Sequence, residues 1–161
     1  EDSNDTVMFW LVGSLAGIKW NQIMMILPCI VIAVIVTVFM GRQLTIMELG
    51  DDIARSLGQR TEIVRMIIGL LVIVLAGMSV SIAGPIGFVG LIVPHIVKRY
   101  VSKNYLVMLP LTFIFGADLL LISDVLCRLI TYPFESPVGI VTSFVGAFYF
   151  LFITVRGVNR V

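Results

Sequence analysis

Twenty consecutive residues, Asn21 to Met40, carry no charged side chain. A helix of that length spans about 30 Å, the thickness of a bilayer's hydrocarbon core. Further apolar runs follow at Ile63 to Ala83, Ile86 to Val97, Tyr105 to Leu129 and Val138 to Val155. Hydrocarbon offers backbone groups no partners, so such runs must satisfy themselves as helices. The expected fold is all-α: a polytopic transmembrane helix bundle with five crossings, a single transmembrane domain over residues 1–161. Composition agrees, with 59% hydrophobic and 13% charged residues against about 45–50% and about 25% in soluble domains.

The runs differ in ways that bear on packing. Pro28 lies inside the first, where neighbouring helices can satisfy the carbonyl it frees. The second carries Arg65 near its start and small residues at Gly69, Ala76, Gly77, Ser79 and Ser81, which let helices approach closely in lipid. Gly84 and Pro85 then break the helix. Ile86 to Val97 covers only about 18 Å, so we expect a short, tilted or partly buried crossing, ended by the basic cluster Lys98, Arg99 and Lys103. Before the first run, Trp10 and Trp20 bracket a short apolar piece, and residues 1–20 read as an outer interfacial segment. Glu1 is preceded by no initiator Met and followed by no basic n-region and h-region, so the chain reads as the later part of a longer polypeptide without a signal peptide.

The long polar interruption is Glu48 to Glu62, ELGDDIARSLGQRTE. Asp51 and Asp52 suit a helix N-terminus, Arg55 stands four residues after Asp51, and Gly58 can take a left-handed C-cap. Ile53, Ala54 and Leu57 form an apolar stripe, and a second short helix can begin at Thr61. On these grounds alone the bridge is either a solvated loop between two spans or a docking element for a soluble partner. Placing it in the cytoplasm puts nine basic residues on that side (Arg42, Arg55, Arg60, Arg65, Lys98, Arg99, Lys103, Arg156 and Arg160) against two, Lys19 and Arg128, outside. The positive-inside rule then sets the N-terminus outside and the C-terminus in the cytoplasm.

Residues able to carry chemistry are sparse. His95 is the only histidine and lacks the companions of a zinc site; a hydrogen-bonding or structural role fits it. Cys29 and Cys127 sit in apolar runs and read as small hydrophobes. Asp118 and Asp124 are costly within a span and must face the bundle interior or water. At about 100° per residue they point to different sides of one helix. Asp124 and Arg128 are spaced for a local ion pair. Phe115-Gly116-Ala117-Asp118 superficially resembles the Gly-x-Gly-Asp element of intramembrane aspartyl proteases, but it lacks the first glycine and a facing second carboxylate. No P-loop or catalytic triad is legible, no metal or cofactor site is expected, and a net charge of +1 gives no basic field for nucleic acid. A channel or structural membrane subunit is the other non-enzymatic reading.

GPIGFVGLIVPHIVKR, at Gly84 to Arg99, resembles the permease subunits of bacterial ABC importers for iron-siderophores, haem and cobalamin. LGDDIARSLG, at Leu49 to Gly58, resembles the coupling segment of that family, and Ala117 to Ile153 resembles its last two helices. The resemblance covers nearly the whole chain but about the second half of the family, helices six to ten of ten. It implies a permease subunit in the bacterial cytoplasmic membrane that moves a ferric siderophore, with haem or cobalamin as alternatives, and contains no catalytic residues. The implied partners are an ATP-binding cassette ATPase subunit, an extracytoplasmic substrate-binding protein, and a second permease copy or homologous half. Residues 48–62 would be the coupling segment, with Glu48, Gly50, Ala54, Leu57 and Gly58 as the best-matching positions. Arg128 would dock the binding protein, oriented by Asp124, while Gly84, Pro85, Pro94 and His95 would give structural support.

Overall fold

The computed structural model describes residues 13, 15, 18–101, 104–131 and 138–158. Among the described residues the secondary structure is entirely helical: α1 Trp20–Phe39, α2 Gly41–Met47, α3 Asp51–Ser56, α4 Thr61–Ala83, α5 Val89–Tyr100, α6 Tyr105–Thr131 and α7 Val138–Val158. Helices α1, α4, α6 and α7 are long and apolar enough to cross a membrane. Most of the segment before α1, residues 132–137, Lys103 and Arg160 lie outside the described residues.

The bundle exposes what a soluble protein hides. Met25, Phe39, Ile73, Leu129 and Phe148 are all more than half exposed along the long helices, a surface compatible with lipid or further protein and not with water. Val93 and Val97 of α5 form a buried cluster with Met108 of α6. It joins those two helices into one body.

Pro28 stays inside α1 without ending it. The helix stops at Met40, whose backbone bends by φ −76° and ψ −5°, and α2 starts at once. Gly41 opens α2 because a Cβ there would lie 3.0 Å from the backbone nitrogen of Leu106. The hydroxyl of Thr45 accepts the Tyr105 N–H at 3.0 Å and itself donates to the Gly41 carbonyl at 2.8 Å. Thus α2 is clamped to the start of α6.

At the opposite end, Gly84 (φ 70°) ends α4 and Phe88 (φ 66°) stands just before α5. Phe88 is the one described non-glycine residue with positive φ. These two positive-φ positions delay α5 to Val89, three residues after the start expected from the apolar pattern. Gly13 closes this end. Its carbonyl accepts the Gly139 N–H at 3.1 Å, and a Cβ on it would lie 2.6 Å from the Pro85 carbonyl oxygen. The connection from α4 to α5 is thereby held against the first turn of α7.

Candidate functional site

The polar bridge folds as two short helices, beginning at Gly41, seven residues earlier than its polar stretch indicates. The turn between them is made by Glu48, Leu49 and Gly50. Gly50 has φ 115°, and a Cβ added to it would meet no atom within 4 Å, so conformation and not crowding requires glycine there. At the other end of α3 the Gly58 N–H donates to the Arg55 carbonyl and the Gln59 N–H to the Ala54 carbonyl, at 2.9 and 3.0 Å. With Gly58 at φ 81° this is a Schellman C-cap, as its sequence position foretells. The Gln59 amide then donates to the Gln43 carbonyl at 3.1 Å, folding the turn back onto α2.

The helix start expected at Thr61 is present, but it opens the long α4 and not a separate short helix. Asp51 and Arg55, four residues apart in α3, do not pair with each other, because α3 lies beside the first turns of α4. Asp51 is taken by Arg65 of α4 at 2.9 Å, while the Arg55 guanidinium donates to the Thr61 hydroxyl at 3.3 Å and lies 3.8 Å from Glu62.

The five coupling candidates divide by burial. Ala54 is 0% exposed and packs inside the bridge. Glu48 also turns inward: one oxygen pairs with Lys98 of α5 at 3.4 Å, and the other is buried without a partner. Gly50 and Gly58 shape the backbone. Leu57 is exposed at 64%, with Leu49 and Ile53 at 61% and 48%. Spaced four residues apart, these three place apolar side chains on a polar segment outside the long helices. From the sequence, Lys98 is legible only as part of a basic cluster and Leu49 only as the edge of the coupling segment, while the helix Gly41–Met47 is signalled only by the seven residues between Met40 and Glu48, more than a tight turn needs.

At the end of the bundle away from the bridge, Arg128 Nε donates to Asp124 Oδ2 at 2.8 Å. The guanidinium side chain is two-thirds exposed and the carboxylate mostly covered, so the pair presents a positive head fixed from beneath. His95 is exposed on α5, its ring edge-on to Tyr149 of α7 at 6.3 Å, so it links two helices. Pro94 lies beside it within α5. Asp118 lines a cavity of about 160 Å³ with Val93, Ile96, Phe115, Leu119 and Ile122. Among the described residues that line it, Asp118 is the one carboxylate and the others are apolar.

A bundle of membrane-length helices carrying a structured polar bridge at one end has the architecture of a membrane-embedded subunit. The chain belongs to the FecCD transport family, which matches it over residues 1–156. It is 41% identical over 98% of its length to the Fe(3+)-citrate import system permease protein YfmD of Bacillus subtilis, covering 47% of that protein. It is 39% identical over 96% of its length to the iron(3+)-hydroxamate permease FhuB of the same organism, covering 40% of it. With the Fe(3+) dicitrate permease FecC of Escherichia coli identity is 34%, over 97% of the chain and 47% of the relative. The fold matches a solved inward-facing ABC transporter assigned to the metal-chelate type with a TM-score of 0.87 and 28% identity, over 94% of this chain and 50% of that one. The chain therefore spans about half the length of the proteins it matches.

Proposed function

We propose that this chain is the C-terminal half of the permease of a binding-protein-dependent importer for iron chelates, ferric siderophores foremost, in the bacterial cytoplasmic membrane. Helices α2 and α3 form the surface on which a separate ATPase subunit acts. The observation that carries this reading is the exposed row Leu49, Ile53 and Leu57 on an otherwise polar bridge. Exposed apolar side chains at the solvent end of a membrane bundle call for a protein partner. Gly50 and Gly58 give the bridge its shape, and Ala54 and Glu48 support it from within. The names of the relatives favour iron chelates over haem or cobalamin as cargo.

The fifth crossing is part of the same proposal. Helix α5 alone covers about 18 Å, but it is preceded by the non-helical piece from Gly84 to Phe88. Pro85 of that piece packs on Gly13, which is bonded to Gly139 in the first turn of α7, and Phe88 packs on Gly146, two turns or about 10 Å further down α7. Together that piece and α5 cover about 28 Å, close to the hydrocarbon thickness. This supports five crossings, with α1 beginning and the Arg128–Asp124 pair lying outside and α7 ending in the cytoplasm. At the outer surface Arg128 would meet an acidic side chain of the binding protein.

The test is co-purification of the ATPase subunit with the full-length permease carrying Ile53→Glu and Leu57→Glu. Both positions are exposed, so the permease should still insert and fold. We expect ATPase binding to be lost; retained binding would refute the coupling surface.

A further inference from the structure

Each half of the bridge is fastened to a different part of the bundle, and Gly50 lies between the two. Helix α3 is held by α4, through Asp51 with Arg65 and Arg55 with Thr61. Helix α2 is held by the α5–α6 body, through Gly41, Thr45 and, at its C-cap, Glu48 with Lys98. A displacement of the bridge therefore has two separate outlets. One leads up α4; the other enters the foot of α5.

Helix α5 is well formed to carry the second. Val93 and Val97 bind it to α6 through Met108, and the ten residue steps from Lys98 back to Phe88 make a lever of about 15 Å. At its upper end Phe88 packs directly on Gly146 of α7, where no Cβ would fit. At its lower end Lys98 Nζ lies 3.4 Å from Glu48 Oε1, while the second oxygen of this mostly covered carboxylate is buried with no hydrogen-bond partner. Separating the pair would leave a partly buried charge uncompensated.

We infer that the Glu48–Lys98 ion pair is the mechanical link by which the bridge drives α5, so that Lys98 is a positioning residue that sets how much transport each ATP turnover yields. The inference rests on the importer reading above. Glu48 on this account transmits force inside the permease and does not itself touch the ATPase subunit.

The experiment uses the full-length permease with its ATPase subunit and binding protein in liposomes, measuring ATPase binding, ATP hydrolysis and uptake of an iron-55-labelled ferric chelate. The unaltered complex comes first: if it neither binds the ATPase subunit nor takes up the chelate, the importer reading itself fails. With that established, Glu48→Lys and Lys98→Glu are each expected to retain ATPase binding and hydrolysis while uptake per ATP falls on the order of tenfold, within the range of ordinary coupling free energies. The double exchange should restore most of it. Unchanged uptake per ATP in both single variants would overturn the link, as would failure of the double exchange to restore it. Loss of ATPase binding in Glu48→Lys would overturn it too, by making Glu48 a contact. If a reversal prevents insertion, Lys98→Arg and Lys98→Gln replace it. Arginine should keep uptake per ATP and glutamine lower it, and equal values would count against the link.

Discussion

Arg65, in the second turn of α4, grips both carboxylate oxygens of Asp51 at 3.1 and 2.9 Å, tying the first residue of α3 to the foot of a membrane-length helix. The pair is largely exposed, so its contribution to stability is small, under about 1 kcal/mol. Its effect is on orientation. Arg65→Ala should leave the thermal midpoint of the full permease nearly unchanged but raise amide exchange across residues 51–58. Unaltered exchange there would show that Gly58 and Ala54 hold α3 unaided.

Gly58 and Gly50 make a conformational prediction. Gly58→Ala places a Cβ at a left-handed position, costing roughly 1–2 kcal/mol; Gly58→Asn should cost less, since asparagine tolerates that region. Thermal unfolding of the two variants tests the order. Gly50→Ala, at φ 115°, should be more damaging than Gly58→Ala in ATPase co-purification, because it also resets the turn between α2 and α3.

Ala54 separates packing from contact. Enlarging it to leucine overfills a site with no exposure, with an expected cost of about 1–3 kcal/mol, and ATPase binding should fall because the bridge distorts. Leu57→Ala should lower ATPase affinity with stability unchanged. Equal stability losses in the two variants would mean that Leu57 is covered in the assembled protein by the permease itself.

Arg128→Glu should weaken binding-protein docking, and the defect should grow less distinct as salt rises and screens exposed charges. Asp124→Asn should give a smaller loss of the same kind by releasing the guanidinium. Docking that is indifferent to both would confine the pair to a local role within α6.

Gly146→Leu should block the seat of Phe88 and reduce uptake, with Phe88→Ala in the same protein recovering part of it. The partial recovery is the informative result, since each variant alone changes packing.

Much of this architecture was legible along the chain. Membrane-length helices follow from run length and the absence of charge, because hydrocarbon enforces both. The C-cap at Gly58 and the Asp124–Arg128 pair follow from spacing within one helix, where geometry is local. The family resemblance was equally plain at Gly84 to Arg99 and at Leu49 to Gly58.

What the tertiary structure alone decided is which neighbour each polar side chain takes. Asp51 chose Arg65 over Arg55, and Glu48 turned to Lys98, fifty residues away, because α4 and α5 both have their feet at the bridge. Ala54 went inside while Leu57 stayed out, and α2 formed where the sequence offered only the end of a span. Helix α5 starts late because Gly84 and Phe88 adopt positive-φ backbone against α7. Sequence settles what must be helical in lipid; the docking of helix ends, where several charges compete for a few partners, is settled only when the helices meet.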